Sequence, residues 1–180
     1  MATGFTTTAS VCPTTHQAVL TEVVRKLRAE ITEFATESTC FLSDVSAPGV
    51  EIQEDLFCTV APQNGRFDLQ PPIGSAEFGI DEVIQIGVTV WSRMQRDRLE
   101  HSAQSLTDGV RGLLVFKRRV LQALAGRQLY SDAPENSVPL LIEPLRPVQA
   151  LHPLAGKSND EFRSCSLVFQ AAFTWDLLVP

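Results

Sequence analysis

In the stretch from Phe162 to Leu177 the odd positions Cys165, Leu167, Phe169, Ala171, Phe173, Trp175 and Leu177 are all apolar, while the even ones include Ser164, Ser166, Gln170, Thr174 and Asp176. A period of two sustained over residues 162–177 predicts a β-strand with one face in a core and the other facing a wet or polar neighbour. At roughly 3.3 Å per residue such a strand runs about 50 Å, well past the usual five or six residues. It is expected to cross the domain and overhang one edge, with Trp175 as a core anchor.

The rest of the chain alternates between two periods. Leu20, Val23, Val24, Leu27, Ile31 and Phe34 recur at helical spacing after a Thr14–Gln17 capping pair, which predicts an amphipathic helix over residues 15–35. Glu22 and Lys26 stand four apart on it as a surface pair, and Arg25 and Arg28 read as its solvated face. Residues 36–54 read as a loop, with a short extended piece at 50–52. Leu56, Cys58 and Val60 then alternate with Phe57, Thr59 and Ala61 in a strand expected to stop at Pro62.

Residues 62–81 carry Asn64-Gly65, Pro71-Pro72, Gly74 and Gly79, which predicts a long loop or flap. It holds Phe67, Leu69, Ile73, Phe78 and Ile80, apolar residues that either pin it to its own domain or dock on a partner. A second strand is predicted over 82–91, with Ile84, Ile86, Val88 and Val90 on one face and Gln85, Gly87 and Thr89 on the other. Arg93, Arg96 and Arg98 mix with Asp97 and Glu100 in a solvated connector. A second helix follows from about residue 105 or 107 to 125, its stripe formed by Leu106, Val110, Leu113, Val120, Leu121 and Leu124, with Gly126 as its stop. Lys117 falls on that stripe, and its stem is expected to lie along the core while the ammonium reaches an edge. Val138, Leu140 and Ile142 suggest a third strand, and residues 144–160, with Pro144, Pro147, Pro153 and Gly156, an irregular arm.

This order predicts an α+β fold: a two-layer sandwich of a mostly antiparallel sheet of four to five strands, with two helices on one face. Residues 1–180 read as a single domain with a flexible segment at 1–14 and long loops at 62–81 and 144–160. Leu27, Ile86, Val88, Leu113, Leu167, Phe169, Phe173 and Trp175 are the expected core anchors. The helix-free face would carry Thr59, Gln85, Gly87, Thr89, Ser164, Ser166, Gln170 and Thr174, and so meet water or a neighbouring subunit.

Composition narrows the function more than it defines it. A formal charge of −6 and a pI near 5.0 argue against a dedicated nucleic-acid binder, which needs clustered Lys and Arg. Cys12, Cys40, Cys58 and Cys165 form no CxxC pair, and a reducing compartment is expected. His16, His101 and His152 show no metal-ligand spacing; no phosphate loop, GxSxG or HExxH occurs. No catalytic, cofactor-binding or metal residue is therefore assigned, and a non-enzymatic role is expected. The first residues lack a signal peptide's basic and apolar regions, and no run suits a membrane span.

Taken in order, the stretches 19–34, 57–61, 83–91, 110–124, 138–142 and 163–178 resemble the tail terminator proteins of long-tailed bacteriophages, the family of tail-completion and head-tail joining proteins. The likeness lies in pattern and order, over somewhat under half of the chain. It implies a structural virion protein without cofactor, located at the neck and present in the host cytoplasm during assembly. Such a protein forms a closed ring, usually a hexamer, that caps the head-proximal end of the tail tube and stops its polymerisation. The implied partners are further copies of the chain, the tail tube protein and the head-tail connector or head-completion protein, with DNA passing through unread. Arg66, Phe67, Asp68, Leu69, Ile73, Phe78 and Ile80 are the expected partner interface. A head-completion or head-tail adaptor protein of the neck is one alternative reading, and a small cytosolic enzyme or ligand-binding domain another.

Overall fold

The computed structural model describes residues 15–43, 54–68, 79–93, 112–130, 139–151 and 162–176. Within them one five-stranded sheet carries strands β1 (Cys40–Leu42), β2 (Leu56–Asp68), β3 (Gly79–Arg93), β4 (Glu143–Leu151) and β5 (Phe162–Asp176), in the order β1-β2-β3-β5-β4. β1 runs parallel to β2, and every other pairing is antiparallel. Helices α1 (Thr15–Glu30) and α2 (Leu113–Leu124) complete an α+β fold.

The apolar stripes meet in one core. Val23, Leu27, Ile31 and Phe34 from α1 and the 3₁₀ turn Thr32–Phe34 pack with Leu113, Phe116 and Val120 of α2 and with the inward residues of the sheet. Leu27, Ile86, Val88, Leu113, Leu167, Phe169 and Phe173 all lie buried there. For Trp175 the structure describes the backbone, which pairs with Ile80. Residue 31 is extended, so the first helix stops at Glu30 and the chain tightens into the 3₁₀ turn that keeps Phe34 under α2. Of the expected second helix, Leu113–Leu124 is helical and Gly112 before it is extended, while the earlier part with Leu106 and Val110 lies outside the described residues.

Several local expectations are corrected. β2 does not stop at Pro62 but continues to Asp68, with a register shift between Pro62 and Gly65. Among the described residues β1 pairs with β2 only as far as Val60, so Pro62 lies beyond that pairing and at a register shift, positions in a sheet that tolerate a proline. The expected loop 62–81 is thereby strand at both ends, and residues 69–78 between them lie outside the described residues.

Residues 36–54 are not all loop, because Cys40–Leu42 form β1; residues 50–52 lie outside the described set. The strand expected at 138–142 is displaced. Pro139 makes only an isolated bridge with Tyr130, Ile142 is 52% exposed, and the true strand, β4, occupies the first half of the expected irregular arm. Pro144 and Pro147 are exposed and the pairing with β5 shifts register twice, features an edge strand can hold and a central one cannot. Glu22 is buried and receives two 2.6 Å hydrogen bonds from Arg25 instead of facing Lys26 in water. Arg28 also leaves the solvated role expected of it, donating to the carbonyl of Cys40.

Candidate functional site

The face of the sheet opposite the described helices is not the uniformly small and polar surface that the alternation suggested. Phe41, Phe57, Trp91 and Phe162, one from each of four strands, form a cluster at one end of it. Phe57 is wholly buried at the centre, stacked with Phe41 at 6.0 Å and with Trp91 at 5.9 Å and met edge-on by Phe162 at 5.4 Å. Register explains the grouping: Phe57 stands opposite Trp91, and Arg93 opposite Phe162. The Arg93 guanidinium lies 5.2 Å from the Phe162 ring centre and donates to Asp55 at 3.1 Å, while the Trp91 indole N–H donates to the Thr59 hydroxyl at 3.0 Å. Thr59 and Val168 are buried on the same side of the sheet.

Towards the middle the face becomes polar. Thr89 and Ser166 share a 2.8 Å hydrogen bond, and Gln85 stands opposite Gln170. Gln63, in the register shift of β2, folds its amide over Gly87, where a Cβ would collide with it. Glycine at this point lets the long side chain lie flat on the sheet.

Beyond this band β2, β3 and β5 continue together as a three-stranded arm. Asp68 pairs with Asp81, Phe67 with Glu82, Arg66 with Val83, and Ile80 with Trp175. The structure thus brings Arg66, Phe67, Asp68 and Ile80 of the expected partner interface to one end of the sheet. Leu69, Ile73 and Phe78 lie outside the described residues. β5 is paired with β3 along its whole length, so the free backbone expected at its far end is absent on that side.

At the base of the arm the core face carries an ionisable pair. Glu82, 5% exposed, meets the His16 ring nitrogen at 3.1 Å, and the His16 ring sits edge-on to Phe173 at 5.0 Å. His16 opens α1, so the contact ties the helix start to the root of the arm. His16→Ala should lower the unfolding free energy by about 1–3 kcal/mol in denaturant titration, because Glu82 keeps its burial and loses a partner. Equal stability of the variant and the parent would show that Glu82 is satisfied without the histidine.

On the helix side an open cleft of about 400 Å³ is lined by Glu30, Thr32, Arg119, Gln122, Ala123 and Arg127. Arg119 is already engaged, donating to Glu33 at 2.7 Å and lying over the Phe116 ring. Both helices end at this cleft, and their carbonyl termini oppose an anion there. Lys117 is half-buried, and its charge offsets part of the upward push that burial gives the Cys165 thiol. Among the described residues no group of three or more His, Cys, Asp or Glu could hold a metal ion, and no helix is long and apolar enough to cross a membrane.

The architecture has a counterpart among solved structures. The chain shares its fold with a virion chain. That structure is titled "Virion of native gene transfer agent (GTA) particle"; the match has a TM-score of 0.50 and 16% identity, and covers 90% of this chain and 98% of the other. No protein-family model matches the sequence, and no curated protein does.

Proposed function

We propose that the chain is a structural virion protein that assembles into a closed ring at the head-proximal end of a tail tube, ends tube growth and joins the tail to the head connector. The observation that carries this reading is the fold shared with a chain of the gene transfer agent particle, over nearly the full length of both chains. The resemblance in element order to tail terminators adds the position in the particle and the sixfold ring.

The edges of the sheet bear on how copies would meet. β4 presents two exposed prolines and two register shifts, which discourage pairing with a strand of a neighbour. β1 is only three residues long, and among the described residues the part of β2 beyond it starts at Ala61 and carries Pro62 and a shift of register. Contact through the arm and through side chains is therefore favoured over a continuous intersubunit sheet, with Arg66, Phe67, Asp68, Leu69, Ile73, Phe78 and Ile80 as the proposed surface. Cyclic closure buries the same patch once per subunit.

Light scattering over a wide concentration range, with and without tail tubes, together with electron microscopy, tests the ring. A closed oligomer seated on the tube end is the expected result. A monomer under all of these conditions overturns the proposal, and a ring that binds only the head connector moves the protein to the neighbouring neck position.

A further inference from the structure

A pair of cysteines lies where β1 meets β2. Cys40 opens β1 and stands in direct register with Cys58 of β2, and both side chains are fully buried in the helix-covered core. Residues opposite each other on neighbouring strands point to the same face. Their Cα atoms lie about 4.8 Å apart, within the roughly 4.4–6.8 Å that a disulfide bridges. Neither thiol is bonded to another cysteine.

We propose that Cys40 and Cys58 are a reversible dithiol–disulfide site that locks the edge strand β1 onto β2. The reading stands on strand register and burial, and does not depend on the assembly role.

The two thiols are unequal. The hydrogen bond from Cys58 pulls the Cys40 thiol below its usual range, helped by the Arg28 charge and opposed by burial. The same hydrogen bond and complete burial push Cys58 up. Cys40 is thus the attacking sulfur. With a low-molecular-weight disulfide such as oxidised glutathione as oxidant, the Cys40 thiolate attacks one reagent sulfur and expels the first glutathione thiolate. The Cys58 sulfur, its proton lost to solvent, then attacks Cys40 in the mixed disulfide and expels the second. Two protein thiols are oxidised, one reagent disulfide is reduced, and the sulfur–sulfur bond has moved into the protein.

Access comes from the edge position. β1 is three residues long, and its flanks are held by Cys58 N–H to the Thr39 carbonyl at 2.8 Å and Ser43 N–H to the Val60 carbonyl at 2.9 Å. Arg28, donating to the Cys40 carbonyl at 2.6 Å, is the side chain that holds the strand from the helix layer. Fraying of so short an edge strand exposes Cys40 without opening the rest of the core. Once closed, the bond ties off the residues between the two cysteines and prevents that fraying.

The test uses the whole protein treated with oxidised glutathione at mildly alkaline pH, followed by intact mass measurement, non-reducing digestion and differential alkylation. Expected are the loss of two hydrogens, a single linked peptide joining Cys40 to Cys58, and a melting temperature raised by several degrees that dithiothreitol reverses. Cys165→Ser should retain all three, and Cys40→Ser or Cys58→Ser should abolish them. Free thiols at both positions, a linkage to Cys12 or Cys165, or a reaction that stops at a glutathione adduct on Cys40 each overturn the proposal. The alkylation pattern of the unmutated protein decides the matter even where a serine variant fails to fold.

Discussion

Phe57→Ala is expected to lower the unfolding free energy by about 3–5 kcal/mol, as large a loss as Phe169→Ala in the helix-covered core. Phe57 projects from the side of the sheet opposite the two described helices, yet it is wholly buried and touches three other aromatic rings. Removing its ring withdraws the buried apolar area of a Phe and leaves Phe41, Trp91 and Phe162 around a void. Each aromatic pair contributes about 0.5–1.5 kcal/mol beyond area burial. Gln170→Ala, a half-buried residue of the polar band on the same face, is the control and should stay within about 0.5 kcal/mol. Chemical denaturation of the three variants checks the ranking. If Phe57→Ala proves as mild as Gln170→Ala, the aromatic cluster contributes little and the helix side alone holds the fold.

Why the alternation missed this cluster is instructive. Period two places Phe57 and Trp91 on the outer face, alongside Thr59 and Thr89. What it does not contain is register, and register is what sets Phe57 against Trp91 and Arg93 against Phe162. Phe41 belongs to a strand of three residues, too short to show any period. β3 and β5 were legible because ten or more alternating positions outweigh local noise, whereas β2 was read only as far as its proline. β4 was not, because a proline is read as a break, and whether it breaks a strand depends on whether that strand lies at an edge.

Non-local pairs were hidden for the same reason. His16 and Glu82 are 66 residues apart and meet only because α1 starts above the root of the arm. Cys40 fell in a segment read as loop and Cys58 on a strand, and only the parallel pairing of β1 with β2 sets them side by side. Glu22 read as a surface residue from its spacing to Lys26, whereas Arg25, one turn away, satisfies both carboxylate oxygens and lets the group be buried. In each case the residue types were visible from the chain, and the missing information was which segment lies beside which.

Replacing residues 69–78 with a short Gly-Ser linker should leave the fold intact and abolish joining to the tail. β2 and β3 retain their pairing from Leu56 to Asp68 and from Gly79 to Arg93 on either side of the replaced segment, so the core is untouched. The segment removes Leu69, Ile73 and Phe78, and each such side chain is worth about 1.5–3 kcal/mol when it passes from water to an interface. In the proposed ring that gain is repeated at every subunit, so the replacement removes it from all of them at once. Arg66→Glu, on the exposed outer side of the arm, provides an independent variant that changes rim charge alone and should mainly slow association, more so at low salt. Both variants are to be compared with the parent by melting temperature, by sedimentation with purified tail tubes and by counting joined particles in electron micrographs. A stable variant that no longer sediments with tubes places the docking surface at the end of the arm. A stable variant that still joins heads to tails at the parental yield removes the arm from the interface and leaves the aromatic end of the sheet as the surface to be tested in its place.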